Sequence, residues 1–265
     1  MELKYLNYDN LNVKEELFKI KHAQEAEIML YPDNKMCLFI LGMLFASGVK
    51  IKILNEKDLN LEINGKSFSM MAYVWSKMCD DNFPLPDYSD VTKDIDRKIV
   101  EAKACGIKFD KIVSDPIKNK IFLICPVRRA NDEQRKWIED FVEEQYKNGH
   151  IVHAPHLHTN QVDPLNGYLI CKQNAEAIAS ANEVNMYYDQ ESTGSVFDLG
   201  VAYAFKKPLV VLNDEEINYY LDDEIDQIVE FWPYYKKSKD RFNGWKLRDK
   251  EFYLDDKRMI RQRRI

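Results

Sequence analysis

The residues whose types and spacing best suit chemistry lie between positions 189 and 200: Asp189, Gln190, Glu191, Ser192, Thr193, Gly194, Ser195, Val196, Phe197, Asp198, Leu199 and Gly200. Hydroxyls and a glycine directly precede an apolar helical stretch. Free backbone N–H groups and the positive end of the helix dipole make such a start an anion site. Asp198 falls one turn inside, between Phe197 and Leu199. A carboxylate there can compensate the dipole, or it can act on a ligand that the turn holds. His153, His156 and His158 form a second cluster, at a spacing that metal ligands can use. No carboxylate or cysteine set accompanies them, so no metal and no cofactor is expected. Their loop is read as a cover over a ligand, with His156 or Asn160 as polar contacts. Other common sites are excluded. No two glycines stand two apart, and the chain has neither a phosphate-loop signature nor a G-x-S-x-G elbow.

The elements that must position these residues follow from hydrophobic patterning. Lys120 to Cys125 reads as a buried strand, and Pro126, Val127, Arg128 and Arg129 as a turn. Asn131 or Asp132 can cap a helix running to about Lys147, with Trp137, Ile138, Phe141 and Val142 on one stripe and Gly149 as its stop. A strand over Ile151–Ala154, a helix over Ile170–Ala181 and a strand over Val184–Tyr188 follow. A small-residue helix over Val196–Phe205 and a strand over Leu209–Leu212 complete the series. Strand alternating with helix specifies a doubly wound α/β domain, Rossmann- or flavodoxin-like, with about four parallel strands. Ligands of such sheets sit at the carboxyl ends of the strands, where the turns 126–130, 155–167 and 189–195 fall.

The first 60 residues echo this domain. Residues 36–56 align without gaps on 194–214, matching Phe39 with Phe197, Leu41 with Leu199, Gly42 with Gly200, Ala46 with Ala204 and Asn55 with Asn213. Residues 26–33 resemble 182–189 once two residues are allowed for the loop. Ile40 stands where the later copy has Asp198, so the N-terminal segment is read as a degenerate half-repeat. The expected organisation is a degenerate repeat plus helical connector over 1–118, a catalytic domain over 119–214, and a helix with a basic tail over 215–265. Within the connector, 68–78 and 94–104 read as helices and 80–90 as a loop.

Composition sets the outer bounds. In 265 residues, 38 Lys and Arg face 44 Asp and Glu; the net charge of −6 disfavours nucleic-acid binding. A hydrophobic share of 45% supports a substantial core. No apolar run approaches the roughly 20 residues of a membrane helix, and the first residues lack the layout of a secretory signal. Five widely spaced cysteines without a C-x-x-C pair point to buried free thiols and a cytoplasmic protein.

Three stretches resemble the nucleoside 2-deoxyribosyltransferase superfamily, nearest its branch of 2′-deoxynucleoside 5′-monophosphate N-glycosidases. They are the strand and turn 121–129, the loop and helix 192–200, and the helix-to-strand passage 202–212 through Lys207 and Pro208. The resemblance spans 119–213. It implies that Asp198 is the nucleophile on the anomeric carbon, and that Ser192 and Arg128 meet a 5′-phosphate, with Pro126, Gly194 and Ser195 beside them. A carboxylate at the Ser192 position would repel that phosphate, whereas hydroxyls and an arginine attract it. This chain departs from the family in two places. Asp198 replaces a glutamate and is one methylene shorter, a displacement that can cost about 100-fold in rate. Phe122 replaces a tyrosine that touches the nucleophile.

The activity implied is cleavage or exchange of the N-glycosidic bond of a nucleotide through an oxocarbenium-like transition state. Asp189 is the first candidate for the second acid and Glu191 the next; Tyr187, Tyr188 or Trp137 could stack a base. The resemblance also implies a homodimer or higher homo-oligomer in which neighbouring chains complete each site. A half-repeat could imitate such a neighbour within one chain. Three other readings stand beside this one: a nucleotide sensor that has lost catalysis, a TIR-like NAD glycohydrolase, and a pure scaffold.

Overall fold

Among the described residues of the computed structural model, all paired strands run parallel and they form two sheets. The structure describes residues 1–5, 8, 12–59, 68–81, 83, 92–128, 130–189, 191–213, 232 and 235–237. The first sheet has the order β1-β2-β3, from Glu2–Tyr5, Glu25–Ile28 and Lys50–Ile53. Its crossover helices are α1 (Val13–His22) and α2 (Lys35–Ser47). Two connector helices follow, α3 (Phe68–Cys79) and α4 (Thr92–Ala104).

The second sheet has the order β5-β4-β6-β7-β8, built from β4 (Lys120–Ile124), β5 (Ile151–His153), β6 (Glu183–Met186), β7 (Leu209–Val211) and β8 (Tyr235–Lys237). Its helices are α5 (Asp132–Lys147), the single turn α6 (Pro155–His158), α7 (Tyr168–Ser180) and α8 (Thr193–Ala204). From β4 the chain adds a strand on one side, then crosses to the other. That reversal is the switch point at which doubly wound sheets open a crevice.

The helices and strands expected over 68–213 are present, within a few residues at their ends. Asn131 caps α5 in a reciprocal box: its Oδ1 accepts from Gln134 N at 2.8 Å, and its N–H donates to Gln134 Oε1 at 3.0 Å. Two strands escape the sequence pattern. β1 is only four residues long, and β8 raises the second sheet from about four strands to five. The helix expected over 215–231, the tail beyond residue 237 and most of the loop over 80–90 lie outside the described residues. All five cysteines are free; Cys105 is exposed rather than buried. No helix among the described residues is long and apolar enough to cross a membrane.

The two sheets are covered differently. β4, β6 and β7 are buried on both faces, between the main core on one side and α5 on the other. The first sheet alternates buried with exposed and packs only one face. Its outer face carries a charge ladder in which Glu27 meets Lys52 at 2.6 Å and Lys4 at 3.5 Å. A parallel sheet with one wet face is unusual. Only seven residues separate β1 from α1, too few for a helix and strand like α5 and β5.

Between the sheets, α2 packs on α8 with reciprocal contacts. A Cβ at Gly42 would lie 2.1 Å from the carbonyl oxygen of Phe197, and one at Gly200 would lie 2.0 Å from that of Phe39. Only glycine permits this backbone approach. The rings cross in the same way, Phe39 on Tyr203 at 5.5 Å and Phe45 on Phe197 at 5.6 Å. Residue i touching j while the equivalent of j touches the equivalent of i is the signature of a two-fold relation.

The same constant spacing of 158 residues links other bonds. Asn55 brackets Leu30, accepting from its N–H at 2.8 Å and donating to its carbonyl at 3.0 Å. Asn213 brackets Tyr188 likewise, both at 2.8 Å. Ala23 N–H bonds Ile20 O, and Ala181 N–H bonds Ile178 O. Gly48 and Lys206 both take a positive φ at the helix end. The spacing therefore holds from α1 to β3 with no insertion, which corrects the two-residue allowance for the loop.

Candidate functional site

The turns after β4, β5 and β6 close around a cavity of about 510 Å³. From β4 come Cys125, Pro126, Val127 and Arg128; from the segment after β5 come Pro155, Gln161, Asn166 and Gly167. The α7 face supplies Ile170, Cys171 and Asn174, and the start of α8 supplies Glu191 to Ser195, Phe197 and Asp198. The fourth wall comes from the N-terminal segment: Asp33 and Lys35 at the start of α2, Phe68 and Met71 on α3.

Asp198 is 6% exposed. Burial pushes its carboxyl up to about 7, opposed by a hydrogen bond that Asn174 Nδ2 donates to its Oδ2 at 3.1 Å. Its neutral form therefore persists to a higher pH than that of an ordinary aspartate. Two buried thiols flank it. Desolvation raises Cys125 to about 12 and raises Cys171 as well, with the charge of Asp198 adding to each.

Asn174 is itself held. Thr159 Oγ1 donates to Asn174 Oδ1 at 2.7 Å, and His153 Nε2 lies 3.0 Å from Thr159 Oγ1. α7 is fixed in place by Asp163, whose carboxylate accepts from the backbone N–H groups of Leu165, Leu169 and Ile170. At the start of α8, Ser192 occupies the N-cap without a side-chain bond to a backbone N–H; instead Ser195 Oγ, one turn in, donates to Ser192 Oγ at 2.8 Å. A Cβ on Gly194 would meet open space, so the turn leaves room for a ligand.

The structure brings Asp198, Arg128, Ser192, Gly194, Ser195 and Pro126 to one cavity, joined by Glu191. Asp189 does not line it. Its Oδ1 accepts from Glu191 N at 2.9 Å and its carbonyl accepts from Ser192 N, so it shapes the loop. Phe122 is wholly buried one layer away, stacked on His153 at 5.4 Å.

His156 also lies outside the lining; its ring nitrogens are buried without partners, and burial lowers its basicity. His158 bonds Tyr146 and the Ala154 backbone. No group of three or more His, Cys, Asp or Glu among the described residues is placed to hold a metal ion. Asn160 is exposed and bonds Val162 N. Trp137 stacks on Phe141 and meets Tyr187 at a tilt on the α5 side, and Tyr188 lies outside the lining.

The chain matches no protein-family model, no curated protein and no solved structure.

The site must therefore be read from its own chemistry. Sequence reasoning missed Asn174, Gln161, Lys35 and Phe68. Only Asn174 carried a signal, as an amide on the stripe Cys171, Asn174, Ala175 and Ile178 that α7 buries. The assembled cavity offers one buried carboxylate, hydroxyls and N–H groups at a helix start, an arginine, a lysine, the acidic side chains of Asp33 and Glu191, and an apolar wall. That combination suits a ligand with an anionic end, a polar middle and a flat apolar end.

Proposed function

We propose that this protein cleaves or exchanges the N-glycosidic bond of a nucleotide, with Asp198 acting on the anomeric carbon. The observation that supports the reading most is the meeting of Asp198, Arg128, Ser192 and Ser195 on one cavity at the sheet's switch point. In this reading the 5′-phosphate lies at the start of α8 against Ser192, Ser195 and Arg128, where N–H groups and dipole favour an anion. The sugar lies over Asp198, and the base meets Phe68, Met71 and Ile170. Asp198 attacks or stabilises the electron-poor anomeric carbon as the bond to the base breaks. Glu191, on the cavity wall, takes over from Asp189 as the acid that protonates the departing base.

The degenerate half-repeat belongs to the same proposal. Reciprocal packing of α2 on α8 and the constant spacing of matched bonds support an internal duplication. The first copy lacks the carboxylate, with a buried Ile40 in its place, and lacks the α5–β5 unit that would line a cavity. It serves instead as the wall carrying Asp33 and Lys35. One chain then supplies both halves of the pair that the resemblance distributes over two subunits.

Incubation with nucleoside 5′-monophosphates and nucleosides, beside Asp198→Ala, tests the reading through quantified free base. Release from a monophosphate that the variant abolishes is the expected result; no release from any panel member overturns it.

A further inference from the structure

Four side chains, three from separate elements and one from the turn after α6, form one unbroken line of hydrogen bonds ending on Asp198. His153 closes β5, Thr159 follows α6, Asn174 lies in α7 and Asp198 in α8. The successive separations are 3.0, 2.7 and 3.1 Å, and Thr159, Asn174 and Asp198 are all buried.

Proton counting fixes its direction. In its ionised form Asp198 can only accept, so the amide nitrogen of Asn174 faces it and the amide oxygen faces Thr159. That oxygen accepts the single hydroxyl proton of Thr159. The Thr159 oxygen is then left as an acceptor, and His153 must supply the proton from Nε2. Burial and the nearby charges of His158 and Lys120 keep His153 neutral above about pH 4, which leaves one ring proton for this bond. Phe122 stacks on the imidazole at an interplanar angle of 11° and holds its plane.

We propose that Asn174 is a positioning residue for Asp198, oriented by Thr159 and His153, and that this line keeps the carboxylate aimed and ionisable inside an apolar wall. The inference rests on the proposed role of Asp198 and adds what holds it. Without Thr159 the amide can turn over and present its oxygen, which repels the carboxylate. The other ionisable groups around Asp198 are Cys125 after β4, Arg128 in the same turn, and Cys171 in α7 with Asp163 behind it. Glu191 before α8 and Asp33 and Lys35 at α2 complete the set. All of them are retained in the variants below.

The test reads the carboxyl directly, by ¹³C titration of Asp-labelled protein with Asp198→Asn assigning the signal. Thr159→Val should move the Asp198 midpoint upward by about one pH unit. Asn174→Leu should move it further, and Thr159→Ser should restore it. In base-release assays the pH profile should shift by the same amount, lowering kcat at pH 6 with KM for the monophosphate unchanged. An unmoved midpoint in folded Thr159→Val overturns the proposal, whether or not Asn174→Leu folds. If the midpoint moves but the wild type releases no base, the positioning line stands and the glycosidic reading falls. If base is released and the midpoint stays, the reverse holds.

Discussion

Gly42 and Gly200 face each other across the α2–α8 contact, each lying where a side chain would enter the other helix's backbone. Alanine in the middle of a helix ordinarily gains about 1 kcal/mol over glycine. Here the sign should reverse. Gly42→Ala and Gly200→Ala should each lower stability by about 1–3 kcal/mol in urea denaturation. The double variant should fall short of the sum, because one separation of the helices relieves both clashes. Additive losses would mean that the two sites are independent.

Asp198 links stability to pH in a direction opposite to most carboxylates. Its folded-state value, raised to about 7, favours the protonated form, so its contribution is complete below the ordinary carboxylate range and is lost as pH rises through about 7. Asp198→Asn removes that loss while keeping an acceptor for Asn174. The variant should be more stable than the wild type at pH 8, by something on the order of 4 kcal/mol, with the gap closing toward pH 4. Thermal melts across pH measure it. Base release should follow the other limb, rising with pH through about 7 as the nucleophile ionises.

Charge at the helix start should decide between nucleotide and nucleoside. Arg128→Ala should raise KM for a monophosphate by about 10- to 100-fold, the worth of a charged hydrogen bond, and leave a nucleoside nearly unaffected. Ser192→Asp should do the same by repulsion. Equal effects on both ligands would remove the phosphate from this end of the cavity.

The two bracketing asparagines separate scaffold from site. Asn55→Ala and Asn213→Ala each strip a backbone donor and acceptor of their partners, at a cost of about 1–3 kcal/mol. Only Asn213 clips the strand end that leads into 189–195. Asn213→Ala should therefore reduce base release, while Asn55→Ala melts earlier and keeps its activity. Matched losses in both would contradict the division of labour between the halves.

What the sequence revealed follows from how local each signal is. Ser192, Ser195 and Asp198 share one helix start, and Arg128 lies in the turn that follows a continuous apolar strand, so their patterns survive in a short window. Lys35, Phe68 and Gln161 reach the cavity only through the packing of distant elements, and no window contains them together. β8 pairs with β7 across more than twenty intervening residues. The misplaced two-residue allowance has a physical origin. The β2 strand alternates because one face is wet, whereas β6 is buried beyond its first residue and includes Asn185, so hydropathy matched the wrong residues although the 158-residue spacing is constant. Asp189 has the position of an acid because it follows a strand, but an aspartate two residues before an exposed N–H is equally a loop former.

One buried cluster runs without a break from Leu3 in the first sheet to Trp232 beside the second. The N-terminal segment is therefore no removable ornament. Cutting it away would strip the cavity of the wall that carries Asp33, Lys35, Phe68 and Met71, so the two sheets should melt as one unit.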